Sequence, residues 1–165
     1  MYSGSIVGLL LATFVALISA TPLDDYVWKP DSHYGYEYLE GQEIHGRTAD
    51  GTKSYTGYML NVTSQQWLTP EDVTQSIWWH ILVVIVPSEV NYQANATLWV
   101  TGGNNNYPMG LPTNMDEDIW ASASLAMNSG TITGALFQIP NQHVTFSGDP
   151  EQKSRSEDSI IAYTW

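Results

Sequence analysis

The sequence predicts an α/β domain, and three observations carry that expectation. Residues 96–101 (ATLWVT) form a short apolar run, residues 116–128 show helical spacing, and residues 131–139 (TITGALFQI) are β-rich again. Two neighbouring parallel strands need a crossover of this kind, so the stretch reads as a βαβ unit. Residues 77–86 (IWWHILVVIV) are nearly all apolar and β-branched or aromatic. They predict a strand buried on both faces at the centre of a sheet. Asp50-Gly51, between strand-like arms at 43–47 and 54–62, is a hairpin signal.

The elements follow in order. Residues 1–20 (MYSGSIVGLLLATFVALISA) read as a secretory signal peptide, although no Lys or Arg precedes the apolar run. The uncharged run at 6–18 is short for a bilayer span, which disfavours the alternative of an uncleaved anchor. Residues 21–165 would then be one secreted domain, with no stable membrane insertion after cleavage. Pro22 and Pro30 disfavour helix around them, while Leu23, Tyr26, Val27 and Trp28 suggest a segment that docks.

In the second hairpin arm Tyr58, Leu60 and Val62 alternate with Met59 and Asn61, a period-2 pattern. Thr69, Pro70 and the acids behind them signal a single helical turn, cut short by the strand at 77–86. The helix at 116–128 has Asp116, Glu117 and Asp118 in its first turn, where the dipole favours them. Ile119, Ala123, Ala126 and Met127 form its stripe, Trp120 flanks it, and Gly130 ends it. Residues 141–155 read as a polar loop. Ser156 is the expected N-cap of a last helix that has barely two turns before Trp165, which suggests an incomplete domain.

Composition excludes several function classes. With 17 acidic residues against 5 basic ones, a net charge of −12, phosphate backbones and anionic membranes are poor partners. Without cysteine there is no disulfide, thiolate zinc site or Cys nucleophile. His33 and His45 lie far apart and predict no metal site, and His80, inside the apolar run, reads as a hydrogen-bonded core residue. No G-x-S-x-G, H-E-x-x-H, Walker loop or G-x-G-x-x-G occurs. Asp24-Asp25, Glu71-Asp72 and residues 116–118 are explained by turns and helix starts rather than acid/base work. Asn61-Val62-Thr63 and Asn95-Ala96-Thr97 are N-glycosylation sequons, which makes Asn61 and Asn95 candidate acceptors.

Residues 58–73 (YMLNVTSQQWLTPEDV), 78–87 (WWHILVVIVP), 96–105 (ATLWVTGGNN) and 24–31 (DDYVWKPD) resemble the PhoPQ-activated pathogenicity-related protein family, with its autocrine proliferation repressor-like members. The resemblance covers nearly all of residues 21–165. It implies the N-terminal portion of an α/β-hydrolase-like mixed sheet, strands plus a βαβ unit, and no cofactor. The nucleophilic serine would follow Trp165, so a secreted fragment or short isoform would not be active alone. Its partners would be the missing C-terminal hydrolase half or a cell-surface receptor. A signalling protein that regulates proliferation is the alternative, and a non-functional truncated product is a further one. In α/β-hydrolases one oxyanion donor is a backbone N–H in the loop after an early strand. Gly102, Gly103 and Asn104 lie in such a loop, and a plain turn after a strand is the other reading of them.

Overall fold

The computed structural model describes residues 21–105 and 111–164. The signal-peptide expectation (1–20), the middle of the glycine-rich loop (106–110) and Trp165 lie outside the described residues. The chain divides into two units after Pro30.

The first unit contributes helix α1, Pro22–Val27. This corrects the expectation that Pro22 works against helix here. Proline at the first helical position gives up only an N–H that has no intrahelical partner anyway. Thr21 caps the helix, and Thr21 and Asp24 exchange the two bonds of a capping box. None of the residues of this short helix is buried, and Leu23, Tyr26 and Val27 are exposed on it.

The second unit is a mixed sheet in the order β1-β3-β4-β6-β5, with β2 also on β3. Its strands are β1 (Gly35–Tyr38), β2 (Ile44–Arg47), β3 (Ser54–Gln66), β4 (Ile77–Pro87), β5 (Ala96–Val100) and β6 (Ile132–Leu136). The pairs are antiparallel except for β5 with β6, which run parallel. Helix α2 (Glu117–Ser129) joins those two and makes the expected crossover, and α3 (Asp158–Thr164) follows. β1 was not anticipated from the sequence.

The hairpin forms as expected. Asp50 accepts from the Thr48 hydroxyl and from the Thr52 amide and hydroxyl, and these bonds hold its carboxyl down to about 2. β4 is central, between β3 and β6. The expectation that it is buried on both faces is only half met. Ile81, Val83 and Ile85 are buried, whereas Leu82, Val84 and Val86 on the other face are only half-buried. The reason is that α2 covers one face. Ile119, Ala123 and Ala126 of α2 pack with Met59, Ile81, Val83, Ile85 and Ala135 to form the main core. Ala123 and Ala126 let the helix approach closely, while Trp120 stays 68% exposed. Gly130 ends α2 at φ +70°, where a side chain would be strained.

One expectation met and two further corrections concern the segments outside the sheet. The signal at Thr69-Pro70 yields one turn closed by Asp72, after which Val73 bridges to Phe146. Ser156 does not cap α3; Glu157, at φ +44°, precedes the helix, and the Ser156 amide donates to the Ser159 hydroxyl. The polar loop at 141–155 is not a solvated excursion. Asn141, Gln142 and Asp149 are buried, and Val144 and Phe146 form a second small core with Val73 and Ile160.

Candidate functional site

The loop after β5 begins at the C-terminal end of a parallel strand, where open α/β sheets place ligands. Two side chains of β5 tie it to the crossover helix. The Trp99 indole N–H donates to Asp118 Oδ1 at 2.8 Å and the Thr101 hydroxyl to Asp118 Oδ2 at 3.0 Å. Asp118, which the sequence offers only as a dipole-favoured acid, therefore also fixes the strand end.

The carbonyls of the loop are held from the segment after β6. The Gln138 amide donates to the Gly102 carbonyl at 2.9 Å, and Gln142 Nε2 donates to the Gly103 carbonyl at 2.9 Å. The Asn105 amide donates to the Gln142 carbonyl at 2.8 Å, and Asn105 Nδ2 donates to Asn141 Oδ1. Among the described residues, the amide N–H groups of Gly102, Gly103 and Asn104 donate to nothing. Gly103 sits at φ +126°, and a Cβ added there would meet Gln138 at 3.7 Å. The arrangement is a short run of donors on a backbone whose Gly102 and Gly103 carbonyls are already engaged. That is the property an anion or oxyanion subsite needs.

Asn141 links this loop to a neighbouring cleft. Its Oδ1 accepts from the Trp79 amide at 3.2 Å and its Nδ2 donates to the Trp79 carbonyl at 2.5 Å. Trp79 lines an open cleft of about 1090 Å³ on the α2-covered face of the sheet, together with Glu37, Glu40, Asn61, Thr63 and Leu111. Asn61 thus lies in mid-strand, half-buried, and its Oδ1 is enclosed without a described partner. Asn95, the other sequon residue, is exposed just before β5.

Sequence reasoning missed one pair. Ser64 is the extra residue of a bulge in β3, and its hydroxyl lies 2.8 Å from His80 Nε2. His80 Nδ1 lies 3.1 Å from the Gln138 carbonyl, so Nδ1 carries the proton and Ser64 donates to Nε2. Burial lowers the imidazole below its ordinary value, although the carbonyls of Gln138 and Phe137 pull it up. The donor order is that of a nucleophile and base. However, His80 is 1% exposed, and neither residue lines the cleft. The pair therefore serves the sheet, as expected for a core His. No sequence signal marks Ser64, because the contact exists only through the bulge.

His33 pairs with Asp31, and His45 lies near Thr56; the structure does not bring them together. Among the described residues no group of His, Asp and Glu could hold a metal ion, and no helix is long and apolar enough to cross a membrane.

The fold and the loop define a mixed α/β protein whose parallel crossover opens with a glycine-rich loop. The model of the PhoPQ-activated pathogenicity-related protein family matches residues 23–165, and the chain belongs to that family. It is 36% identical over 157 residues to autocrine proliferation repressor protein A of Dictyostelium discoideum. The match covers 95% of this chain and 28% of that relative, so the chain spans under a third of the relative's length. No solved structure matches it.

Proposed function

We propose that this chain is the secreted, oxyanion-binding part of an α/β-hydrolase-type protein and does not catalyse alone. The observation that carries the reading is the loop at Gly102, Gly103 and Asn104, whose N–H groups meet no acceptor among the described residues and whose Gly102 and Gly103 carbonyls are tethered. The loop lies between a parallel strand and its crossover helix, where hydrolases of that class keep a donor for the tetrahedral oxyanion. Ester or peptide hydrolysis is the parent reaction, and its nucleophile would come from the part of the family relative that this chain does not span. The Asn141–Trp79 bonds would keep the donor loop in register with the cleft that receives the substrate.

The test uses a hybrid in which residues 21–164 replace the matching part of the Dictyostelium relative. The hybrid is expected to hydrolyse p-nitrophenyl esters and the chain alone to be inactive. The double substitution Gly102→Ala and Gly103→Ala should lower kcat of the hybrid by about 10²–10³-fold, the usual worth of an oxyanion donor. Hydrolysis by the isolated chain well above that of its own double variant would overturn the reading.

A second reading, an extracellular signal that restrains proliferation through a cell-surface receptor, rests on the name of the Dictyostelium relative. It predicts growth arrest by added protein that the double glycine substitution leaves intact. In either case we expect the glycan on Asn95, which is exposed, ahead of Asn61, whose amide oxygen is enclosed. Glycopeptide mapping of protein from a eukaryotic secretory host checks this.

A further inference from the structure

The cleft beside Trp79 carries polar groups where the same sheet face elsewhere carries core. The register sets Glu37 opposite Asn61 and Asn61 opposite Ile81, one row across β1, β3 and β4 on the face that α2 covers. The next row sets Thr63 opposite Trp79. Helix α2 packs mainly on β6 and β4, and Ile81 is buried in the main core. Towards β1 the rows open into the cleft of about 1090 Å³, which Glu40 also lines. No Lys, Arg or His lines it among the described residues. The Glu37 and Glu40 carboxylates have no ion-pair or hydrogen-bond partner among the described residues. Asn61 Oδ1 is enclosed and likewise meets no donor.

All three groups accept hydrogen bonds, and two of them bring negative charge. An enclosed acceptor without a donor costs stability. An apolar helix laid over the cleft would strand the carboxylates as well, so an ordinary core element does not suit it. Its complement is a donor that carries positive charge. Trp79, half-buried in the cleft, adds an aromatic ring, and such rings attract cations to their faces. A bare metal ion fits less well, because no group of His, Asp and Glu among the described residues could hold one. The volume points the same way. Small-ligand pockets run to about 300–1,000 Å³, so this cleft has room for a whole organic group.

We propose that the cleft is a subsite for an organic cation, an alkyl ammonium or guanidinium group, held by Glu37, Glu40, Asn61 Oδ1 and the Trp79 ring. Such a group carries several N–H donors on an aliphatic stem, and the stem suits the apolar side of the cleft at Leu111. The subsite is coupled to the donor loop. Asn141 clasps the Trp79 backbone, and the same side chain accepts from Asn105 Nδ2. A bound cation therefore lies at a fixed offset from Gly102 and Gly103. Calling it part of a substrate rests on the hydrolase-type reading, which then selects esters or amides with a basic group near the bond; the binding itself does not rest on that reading.

The test titrates Nα-acetylarginine amide and its neutral counterpart Nα-acetylcitrulline amide into the full chain and into the hybrid above. Calorimetry reads the binding, after a cooperative thermal transition has shown each protein to be folded. The arginine amide is expected to bind about tenfold more tightly, and the preference should shrink at high salt. Glu37→Gln with Glu40→Gln should abolish the preference. Glu71→Gln with Glu89→Gln removes the same charge from exposed positions outside the cleft and should leave it intact. Spermidine forms the second arm. Weaker binding than the arginine amide assigns the subsite to a basic side chain and tighter binding to a free polyamine; both orders support a cation subsite. Equal affinity for the two amides would overturn the proposal, as would a preference indifferent to the Glu37/Glu40 change. Calcium that displaces the arginine amide at lower concentration would overturn it too, and so would a glycan mapped to Asn61, which would fill the cleft. Hydrolysis is not a readout here. An inert hybrid that still prefers the arginine amide would count against the hydrolase reading and leave the subsite standing; an active hybrid blind to the charge would do the reverse.

Discussion

The two sides of the glycine-rich loop are built by different physics. On one side the crossover β5–α2–β6 is held by apolar packing, with Ile119, Ala126 and Ala135 fully buried. On the other side the stretch from Gln138 to Glu157 is held by polar side chains that act as anchors. Gln138 Oε1 accepts from the Ile81 amide at 2.7 Å, Asn141 clasps both polar groups of the Trp79 backbone, and Gln142 Oε1 accepts from the Glu157 amide at 2.8 Å. Asp149 receives Arg155 through Nε and Nη2, and the Arg155 guanidinium also lies over the Tyr163 ring. Burial alone would raise Asp149; the Arg155 bond and the amides of Glu151 and Lys153 outweigh it and hold the carboxyl below its usual range. Packing spreads its stabilisation over many contacts. The anchors concentrate theirs in a few, and each stands in for the ladder bonds that an irregular backbone cannot make.

The comparison can be broken from either side. Ile119→Ala opens a void under α2 and should cost about 2–5 kcal/mol in urea unfolding. Its effect should be global, with amide exchange in β4 and β6 speeding up together. Asn141→Ala removes its bonds to the Trp79 amide and carbonyl and should cost about 1–3 kcal/mol. Its mark should be local. Exchange at Gly103, Asn104 and Asn105 should rise by more than the loss of global stability accounts for. If Asn141→Ala is silent, the anchors are ornament and the second core at Val144 and Phe146 holds the segment unaided.

This division is also why the sequence is legible on one side and not on the other. The stripe of α2, its terminal glycine, the Asp-Gly hairpin and the parallel pair all announce themselves through local periodicity or turn chemistry. The anchors do not. A Gln, an Asn and an Asp in a stretch without period look solvated, and the partners of the Gln and the Asn, Ile81 and Trp79, lie 57 and 62 residues away in the chain. The donor loop is legible as glycine-rich after a strand, but the tethers that orient it come from Gln138 and Gln142, which nothing local marks. β1 was missed because four residues with two exposed tyrosines, Tyr36 and Tyr38, carry no alternation to read. The capped α1 shows the opposite error, a proline read as a breaker at the one helical position that welcomes it.

A smaller effect sharpens the comparison at the point where the crossover turns back. Gly130 holds φ +70°, and a Cβ there would meet the Asn91 side chain at 2.5 Å. The Asn91 amide end can swing aside but its Cβ, at 3.0 Å, cannot, so a tight contact adds to the backbone strain and Gly130→Ala should cost about 1 kcal/mol or more. The Asn91 and Tyr92 amides both donate to the Gly130 carbonyl, so slowed return of these two after hydrogen-exchange opening should accompany the loss. A loss confined to stability, with their exchange unchanged, would mean that the turn adapts and that the approach of Asn91 is incidental.

The smallest expected effect lies where the two sides meet, at His80. It is bonded to Ser64 on the sheet and to Gln138 in the anchored segment. Burial lowers its pKa in the folded chain, whereas the unfolded chain takes up its proton near pH 6.5. Below that pH the unfolded state therefore binds a proton that the folded state resists, and linkage favours unfolding. The His80 contribution is fully present above pH 6.5 and declines as pH falls from there towards the lower folded value. Urea midpoints between pH 8 and pH 5 should show the decline in the native chain. His80→Gln should be less stable at every pH, with a flatter profile over that window. An equally steep decline in the variant would place the titrating group elsewhere and remove His80 as the polar hinge between packed sheet and anchored segment.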